Sequence, residues 1–175
     1  TLIKDYKNRN IYLEASRGCP YHCSYCLSSL DNKVRFFALD KVKSEILFTL
    51  KNKAKAVKFL DRTFNLKQEK MREIDELIRD NDNNLTTFQF EIVGDLLDEE
   101  TIKLLQTVRR GQIRFEIGIQ STNPTVTKSV NRKQDFEKLK ENILKIKNNI
   151  IVHLDLIAGL PYEDMKSFKK SFNDV

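Results

Sequence analysis

The sequence predicts an α/β fold in which parallel strands, joined by helical crossovers, form a barrel-like sheet of about five βα units. Three observations carry this. Strand-length apolar stretches alternate with helix-length amphipathic stretches five times along 175 residues, and such alternation argues for a parallel sheet. Several strands alternate apolar and polar residues, where a sheet buried on both faces would read as a continuous apolar run. A cysteine loop follows the first strand, where an open doubly wound sheet would carry a glycine-rich phosphate turn.

The elements follow in order. Asn10 to Ser16 reads as the first strand and leads into the cysteine loop. Asp40 reads as a helix N-cap, with Val42, Ile46, Leu47 and Leu50 on one face behind it. Lys55 to Leu60 is a short apolar strand that ends at Asp61. Asn65 and Gln68 stand at capping-box spacing and open a helix with Met71, Ile74, Leu77 and Ile78 on one face. Thr86 to Ile92 is the third strand. Asp98, Glu99 and Glu100 begin the next helix, with acids where the dipole favours them, and Arg109-Arg110-Gly111 ends it. Ile113 to Gln120 is the fourth strand, and Asn123-Pro124 marks a turn or helix start. The following helix buries Phe136, Leu139, Ile143 and Ile146. Ile150 to Ile157 is the fifth strand, and Gly159-Leu160-Pro161 turns the chain into a last helix bearing Met165, Phe168 and Phe172.

The strand faces bear on function. Phe88, Phe90 and Ile92 oppose Thr87, Gln89 and Glu91; Phe115, Ile117 and Ile119 oppose Arg114, Glu116, Gly118 and Gln120. Val152, Leu154 and Leu156 oppose His153 and Asp155. With helices over the apolar faces, the polar faces look inward. An interior this polar must hold water, partners or a polar ligand, because unpaired buried charge is costly. In a parallel αβ barrel the reactive groups come from the C-terminal strand ends. Those ends supply the cysteine loop, Asp61, Glu91, Gln120 and Asp155, a set that suits a small ligand with several charged groups.

All three cysteines, Cys19, Cys23 and Cys26, lie in the loop with the spacing C-x3-C-x2-C. Cysteine thiolates hold iron–sulfur clusters, and a four-iron cluster normally takes four. Three thiolates leave one iron open to chemistry. A closed zinc site needs four ligands, and His22, next to Cys23, is poorly placed to be the fourth. A disulfide framework fits badly with an odd cysteine count in a chain large enough for a normal core.

Composition fits one globular domain over residues 1–175, with 40% hydrophobic and 32% charged residues. No apolar run approaches the roughly 20 residues of a membrane helix. No signal peptide is evident, so a reducing cytoplasmic setting is expected. The start at Thr1 and the stop at Val175 suggest a piece of a longer protein. The formal charge of +6 raises nucleic acid as a partner, but the lysines are interleaved with acids as on solvated helix faces, which favours a small-molecule substrate.

The cysteine motif, with Tyr25 before the last cysteine, resembles the signature of the radical S-adenosylmethionine (radical SAM) enzymes. Gly118-Ile119-Gln120-Ser121, Asn131-Arg132-Lys133-Gln134-Asp135 and Asp155-Leu156-Ile157-Ala158-Gly159-Leu160-Pro161 resemble the branch of oxygen-independent coproporphyrinogen oxidases and cobalamin-dependent radical enzymes. The resemblance covers nearly the whole chain. It implies a partial barrel of the radical SAM type, with Cys19, Cys23 and Cys26 on three irons of a [4Fe-4S] cluster and S-adenosylmethionine chelating the fourth. It implies Tyr25 near the adenine, Glu91 and Arg132 on the cofactor's polar groups, and Gln120 and Asp155 near its ribose or methionine moiety. Many members carry a glycine-rich turn ending in Glu after the second strand. Here the turn is Leu60-Asp61-Arg62-Thr63-Phe64-Asn65, so Asp61 or nearby backbone is expected to accept from the cofactor's ammonium.

The implied activity is reductive cleavage of S-adenosylmethionine to a 5′-deoxyadenosyl radical that abstracts hydrogen from a substrate. An external one-electron reductant of flavodoxin or ferredoxin type would supply the electron. Oxidative decarboxylation of a porphyrin side chain, methylation at an unactivated carbon and methylthiolation of RNA all remain open. The turn at Asp61 and the lead-in Arg17-Gly18-Cys19-Pro20 tilt towards the cobalamin-associated branch, with cobalamin on a domain absent from this chain. An electron-transfer iron–sulfur protein would want a fourth cysteine and no polar strand ends. A zinc-bearing RNA-binding module would show zinc and no iron. Five strands leave an exposed sheet edge, which invites a dimer.

Overall fold

The computed structural model describes residues 6, 9–31 and 33–175. Five strands form one parallel sheet in chain order: β1 (Asn10–Leu13), β4 (Ala56–Phe59), β5 (Thr87–Glu91), β6 (Ile113–Gln120) and β7 (Ile151–Leu156). Between β1 and β4, β2 (Ser16–Arg17) and β3 (Arg35–Phe36) form a small antiparallel clasp. The helices are α1 (Leu39–Lys51), α2 (Gln68–Asp80), α3 (Glu99–Leu105), α4 (Pro124–Ser129), α5 (Phe136–Ile146) and α6 (Met165–Asp174). Each parallel pair is joined through at least one of them, as parallel strands require.

Helices α1, α2, α3 and α5 cover the same sheet face. Their Val42, Ile46, Met71, Ile74, Ile78, Ile102, Leu105, Leu139 and Ile146 pack in one cluster with Val57, Phe59, Phe88, Phe90, Phe115 and Ile117 of the strands. Phe88, Phe90 and Phe115 are fully buried, each contributing roughly 1.5–3 kcal/mol by its burial. The expected alternation therefore holds. In β5 and β6 the apolar residues are buried in this core, while Gln89, Glu91, Glu116, Gly118 and Gln120 are partly exposed on the opposite face.

Element ends depart from the sequence expectations for local reasons. The first strand stops at Leu13, because Ser16 and Arg17 leave the sheet to pair with Phe36 and Arg35. Asp40 is not the N-cap of α1. Ala38 occupies that position, and Asp40 sits in the first turn, where only its charge assists. Asn65 and Gln68 do not form a capping box. Lys67 is the N-cap of α2, and buried Asn65 instead exchanges two hydrogen bonds with the backbone of Val93, at 2.8 and 3.0 Å.

Asp98 does cap α3, accepting the Thr101 N–H at 2.8 Å. That helix ends at Leu105 rather than at Arg109-Arg110-Gly111, and the Thr107 hydroxyl takes up the Leu104 carbonyl at 2.6 Å. Asn123, Asp135 and Asp164 cap α4, α5 and α6 in the same manner as Asp98. On α6, Met165 and Phe172 are exposed at 68% and 67%, and only Ser171 is buried.

Candidate active site

The clasp of β2 and β3 closes the stem of the loop that carries every cysteine. Inside it Cys19 N–H donates to the Asp31 carbonyl at 3.2 Å and Cys26 N–H to the Cys23 carbonyl at 3.0 Å. Gly18 makes the entry possible. Its φ is +100°, and a Cβ there would stand 2.6 Å from the Lys33 carbonyl oxygen. Ser24 N–H donates to the Val130 carbonyl at 3.0 Å, which ties the loop to the segment after α4 and brings Arg132 beside the thiols.

The three free cysteines line one cavity of about 270 Å³ at the C-terminal strand ends. Tyr21 and Tyr25 line it from the loop; Glu91, Glu116, Gly118, Gln120 and Asp155 line it from the sheet; Arg62, Thr63 and Arg132 are also in the wall. Strand register sets the rows. Glu91 pairs with Glu116, and Gly118 with Asp155, so carboxylates from three neighbouring strands face one space.

Burial pushes the Glu91 carboxyl up, with Glu116 and Asp155 adding to it, while Arg62 pulls it down from 3.4 Å. Burial likewise pushes up the Tyr21 and Tyr25 phenols, and Arg132 opposes this in both. His153 Nε2 lies 3.3 Å from Asp155 Oδ1, on the exposed margin of the same face.

At the end of β6 the backbone is irregular. A register shift separates Gly118 from Gln120, and Gln120 has a φ of +69°, a conformation that costs a non-glycine residue roughly 1 kcal/mol or more. The Arg132 guanidinium donates to the Gly118 carbonyl and, at 3.3 Å, to Gln134 Oε1. The Gln120 amide folds over Gly118, where a Cβ would stand 2.1 Å from Nε2. Its Oε1 is buried without a partner among the described residues. A strained residue with an unsatisfied buried acceptor, in the wall of a polar cavity, is a feature that clusters at functional sites.

Of the residues expected at the site, Tyr25, Glu91, Gln120, Arg132, Asp155 and the three cysteines line this cavity together. Asp61 does not. It is 1% exposed, and its carboxylate accepts the Ser16 hydroxyl at 2.6 Å and the Ala15 N–H at 2.9 Å. The reason is topological: when β1 gives way to β2, two backbone and side-chain donors are left beside the end of β4, and Asp61 satisfies them. Sequence reasoning passed over Arg62, Thr63, Tyr21 and Glu116 as site residues. The signal for Glu116 was its place on the polar face of its strand; Arg62 and Thr63 stood in the very turn that drew attention to Asp61.

The donor set fits an iron–sulfur cluster. Three thiols share one cavity. Thiolates that line one space can each ligate a different iron of a polynuclear cluster, and three of them are one short of a closed tetrahedral zinc site. Cys19 Sγ lies 3.8 Å from the Thr63 hydroxyl.

Several known proteins are similar to this chain. Ribosomal protein uS12 methylthiotransferase RimO of Alkaliphilus oremlandii is 28% identical over 192 residues, which cover 98% of this chain and 43% of the relative. The chain spans less than half the length of the curated relatives it matches. The radical S-adenosylmethionine methyltransferase TsrM of Kitasatospora setae, solved with tryptophan substrate and a SAM analogue, superimposes with a TM-score of 0.80 at 17% identity, over 96% of this chain and 34% of that one. Coproporphyrinogen III oxidase (HemN) of Escherichia coli, a radical SAM enzyme, superimposes at 0.68 with 19% identity, over 97% of this chain and 42% of that one. These likenesses show the fold, a parallel partial barrel. The radical SAM superfamily model matches residues 13–175, and the chain belongs to that superfamily.

Proposed function

We propose that residues 1–175 act as one radical SAM core domain that holds a [4Fe-4S] cluster through Cys19, Cys23 and Cys26 and S-adenosylmethionine in the adjoining cavity. One observation carries this reading: the three thiols and the polar ends of β5, β6 and β7 line the same space. Bound together, cluster and cofactor supply reductive carbon–sulfur cleavage and hydrogen abstraction, chemistry that belongs to the cofactors. The chain's own residues bind and orient. Glu91 and Asp155 offer carboxylates to cationic groups. Gln120 Oε1 has no partner among the described residues and can accept from a hydroxyl or amine once its side chain turns into the cavity, while Arg132 holds the irregular end of β6 through the Gly118 carbonyl. Tyr25, 36% exposed, stands at the mouth with its apolar ring available to a nucleobase.

The test is anaerobic cluster reconstitution followed by addition of S-adenosylmethionine, read by electron paramagnetic resonance and by 5′-deoxyadenosine formation under reduction. A shifted cluster signal and release of the nucleoside are expected. A loaded cluster whose spectrum ignores the cofactor would overturn the reading in favour of a simple electron-transfer centre. One zinc and no iron after anaerobic purification would favour an RNA-binding zinc module.

Radical SAM enzymes need an electron donor, and a flavodoxin- or ferredoxin-type protein is proposed for this one. Among the described residues no helix is long and apolar enough to cross a membrane. Three cysteines kept as thiols for cluster binding favour a reducing, cytoplasmic setting. The cavity, walled by acids and arginines together, favours a small polar substrate over a nucleic-acid backbone, which would want a uniformly basic surface. For the whole protein the cobalamin-associated branch, with methyl transfer, is the reading that the turn 60–65 favours; corrinoid bound to the full-length protein tests it. The open edge at β7 supports self-association, which sedimentation would detect.

A further inference from the structure

The polar face of the sheet carries two bands of opposite charge. The first, at the strand ends that line the cavity, holds Glu91, Glu116 and Asp155. The second begins two residues nearer the start of the strands. There Tyr12, Lys58, Gln89, Arg114 and Ile151 stand side by side across the five strands, paired in register. Lys58 and Arg114 flank Gln89, which sets their Cα atoms about 10 Å apart on one face, a span that two long side chains can close on one group.

Neither base is neutralised by an acid. No ion pair among the described residues engages Lys58 or Arg114, whereas Arg62, Arg72 and Arg109 each reach a carboxylate. Gln89, between them, turns its amide towards the first band and donates to Glu116 Oε1. A neutral residue, not a base, therefore joins the two bands. Arg114 is exposed, Lys58 is half-buried, and Tyr12 stands exposed beside Lys58. A guanidinium fork, an ammonium and a phenol on one face are the donors that recognise a carboxylate or a phosphate.

Resting on the cofactor assignment above, which uses the thiols and the first band, we propose that Lys58 and Arg114, with the Tyr12 hydroxyl, form an anion subsite for the substrate, a small molecule bearing a carboxylate or phosphate. Two residues of strand separate the bands by about 7 Å. A substrate held by its acid at Lys58 and Arg114 reaches the cavity with a neutral or cationic body, because Glu91, Glu116 and Asp155 repel a second anion there.

The experiment is calorimetric titration of the full-length, cluster-loaded protein at fixed ionic strength with succinate, with inorganic phosphate and with neutral succinamide. The proteins are wild type, Lys58→Gln, Arg114→Gln and, on α6, Lys166→Gln. Binding of succinate or phosphate in roughly the millimolar range is expected, with none of succinamide, and the preferred anion tells carboxylate from phosphate. Lys58→Gln and Arg114→Gln should each weaken it at least about fivefold, and Lys166→Gln should stay within about twofold of wild type. S-adenosylmethionine should not displace the anion. A second measurement needs no variant: the bound anion should slow labelling of Lys58 by an amine-reactive reagent relative to Lys166 in the same sample, read by mass spectrometry. No anion binding, equal binding in all four proteins, displacement by S-adenosylmethionine or unslowed labelling of Lys58 overturns the proposal while the cofactor assignment stands. A full cluster whose spectrum ignores S-adenosylmethionine overturns that assignment instead.

Discussion

Asp61 accepts the Ser16 hydroxyl at 2.6 Å, joining the end of β4 to the first residue of the cysteine-loop clasp across 45 positions of sequence. Its second oxygen takes the Ala15 N–H at 2.9 Å. The bond sets where the loop leaves the sheet, and so where the thiols stand.

Asp61→Ala strands a hydroxyl and an amide in the interior, at a cost of about 2–4 kcal/mol. Expected is a lower unfolding midpoint and less iron per chain after reconstitution, with cofactor affinity per loaded cluster unchanged. Loss of cofactor affinity at full cluster loading would show that Asp61 touches the ligand after all.

Gly18→Ala meets both a positive φ and the Lys33 carbonyl 2.6 Å from the new Cβ, which is backbone and cannot swing aside. We expect a loss of about 1–3 kcal/mol and poor cluster loading. Gly159→Ala is the comparison: its φ is +83°, but nothing lies within 4 Å of the new methyl, so it should cost less and leave the iron content intact. Equal losses in the two variants would count against the steric account.

Gly118→Ala puts a methyl where the Gln120 amide now lies, 2.1 Å from Nε2. That amide is the end of a flexible side chain and will move, so stability should change by less than about 1 kcal/mol. Its displacement into the cavity should weaken S-adenosylmethionine binding by about tenfold, measured by calorimetry on the loaded protein. Tight binding in this variant would show that Gln120 takes no part in the site.

Asp75, on α2, is fully buried with neither carboxylate oxygen partnered among the described residues, and burial raises its carboxyl well above the ordinary range. The folded chain therefore keeps a proton that the unfolded chain loses above a pH of about 4. With more protons bound in the native state, stability falls as pH rises, by up to about 1.4 kcal/mol per unit until the folded carboxyl also ionises. Asp75→Asn removes this slope. Urea unfolding at a series of pH values from 4 upwards should show the variant gaining on wild type as pH increases; parallel curves would mean that Asp75 ionises freely in the fold.

The parallel order of the strands, the helix faces and the inward polar residues were all legible, because periods of two and of about 3.6 residues are written locally. Glu91, Gln120 and Asp155 could be placed in one site from strand phase alone. The helix starts at Asp98 and Asn123 had local signatures too, whereas the caps at Asp135 and Asp164 emerged only in the structure. At α1 and α2 the signature misled. Asp40 and Asn65 have the right chemistry for caps, but nothing local says that Ala38 will precede the first turn or that Asn65 will find Val93.

The chain's sequence determined the thiol set, the α/β order and the polarity of each strand face, since those depend on residue type and spacing. Tertiary structure alone decided which polar residues of the turn 60–65 look into the cavity. Asp61 and Arg62 are neighbours, and either charge could have faced the ligand. The choice fell to the donors left by the exit of β1 into β2, which an acid can satisfy and a guanidinium cannot. Those donors belong to Ala15 and Ser16, residues that reach Asp61 only once the sheet has formed.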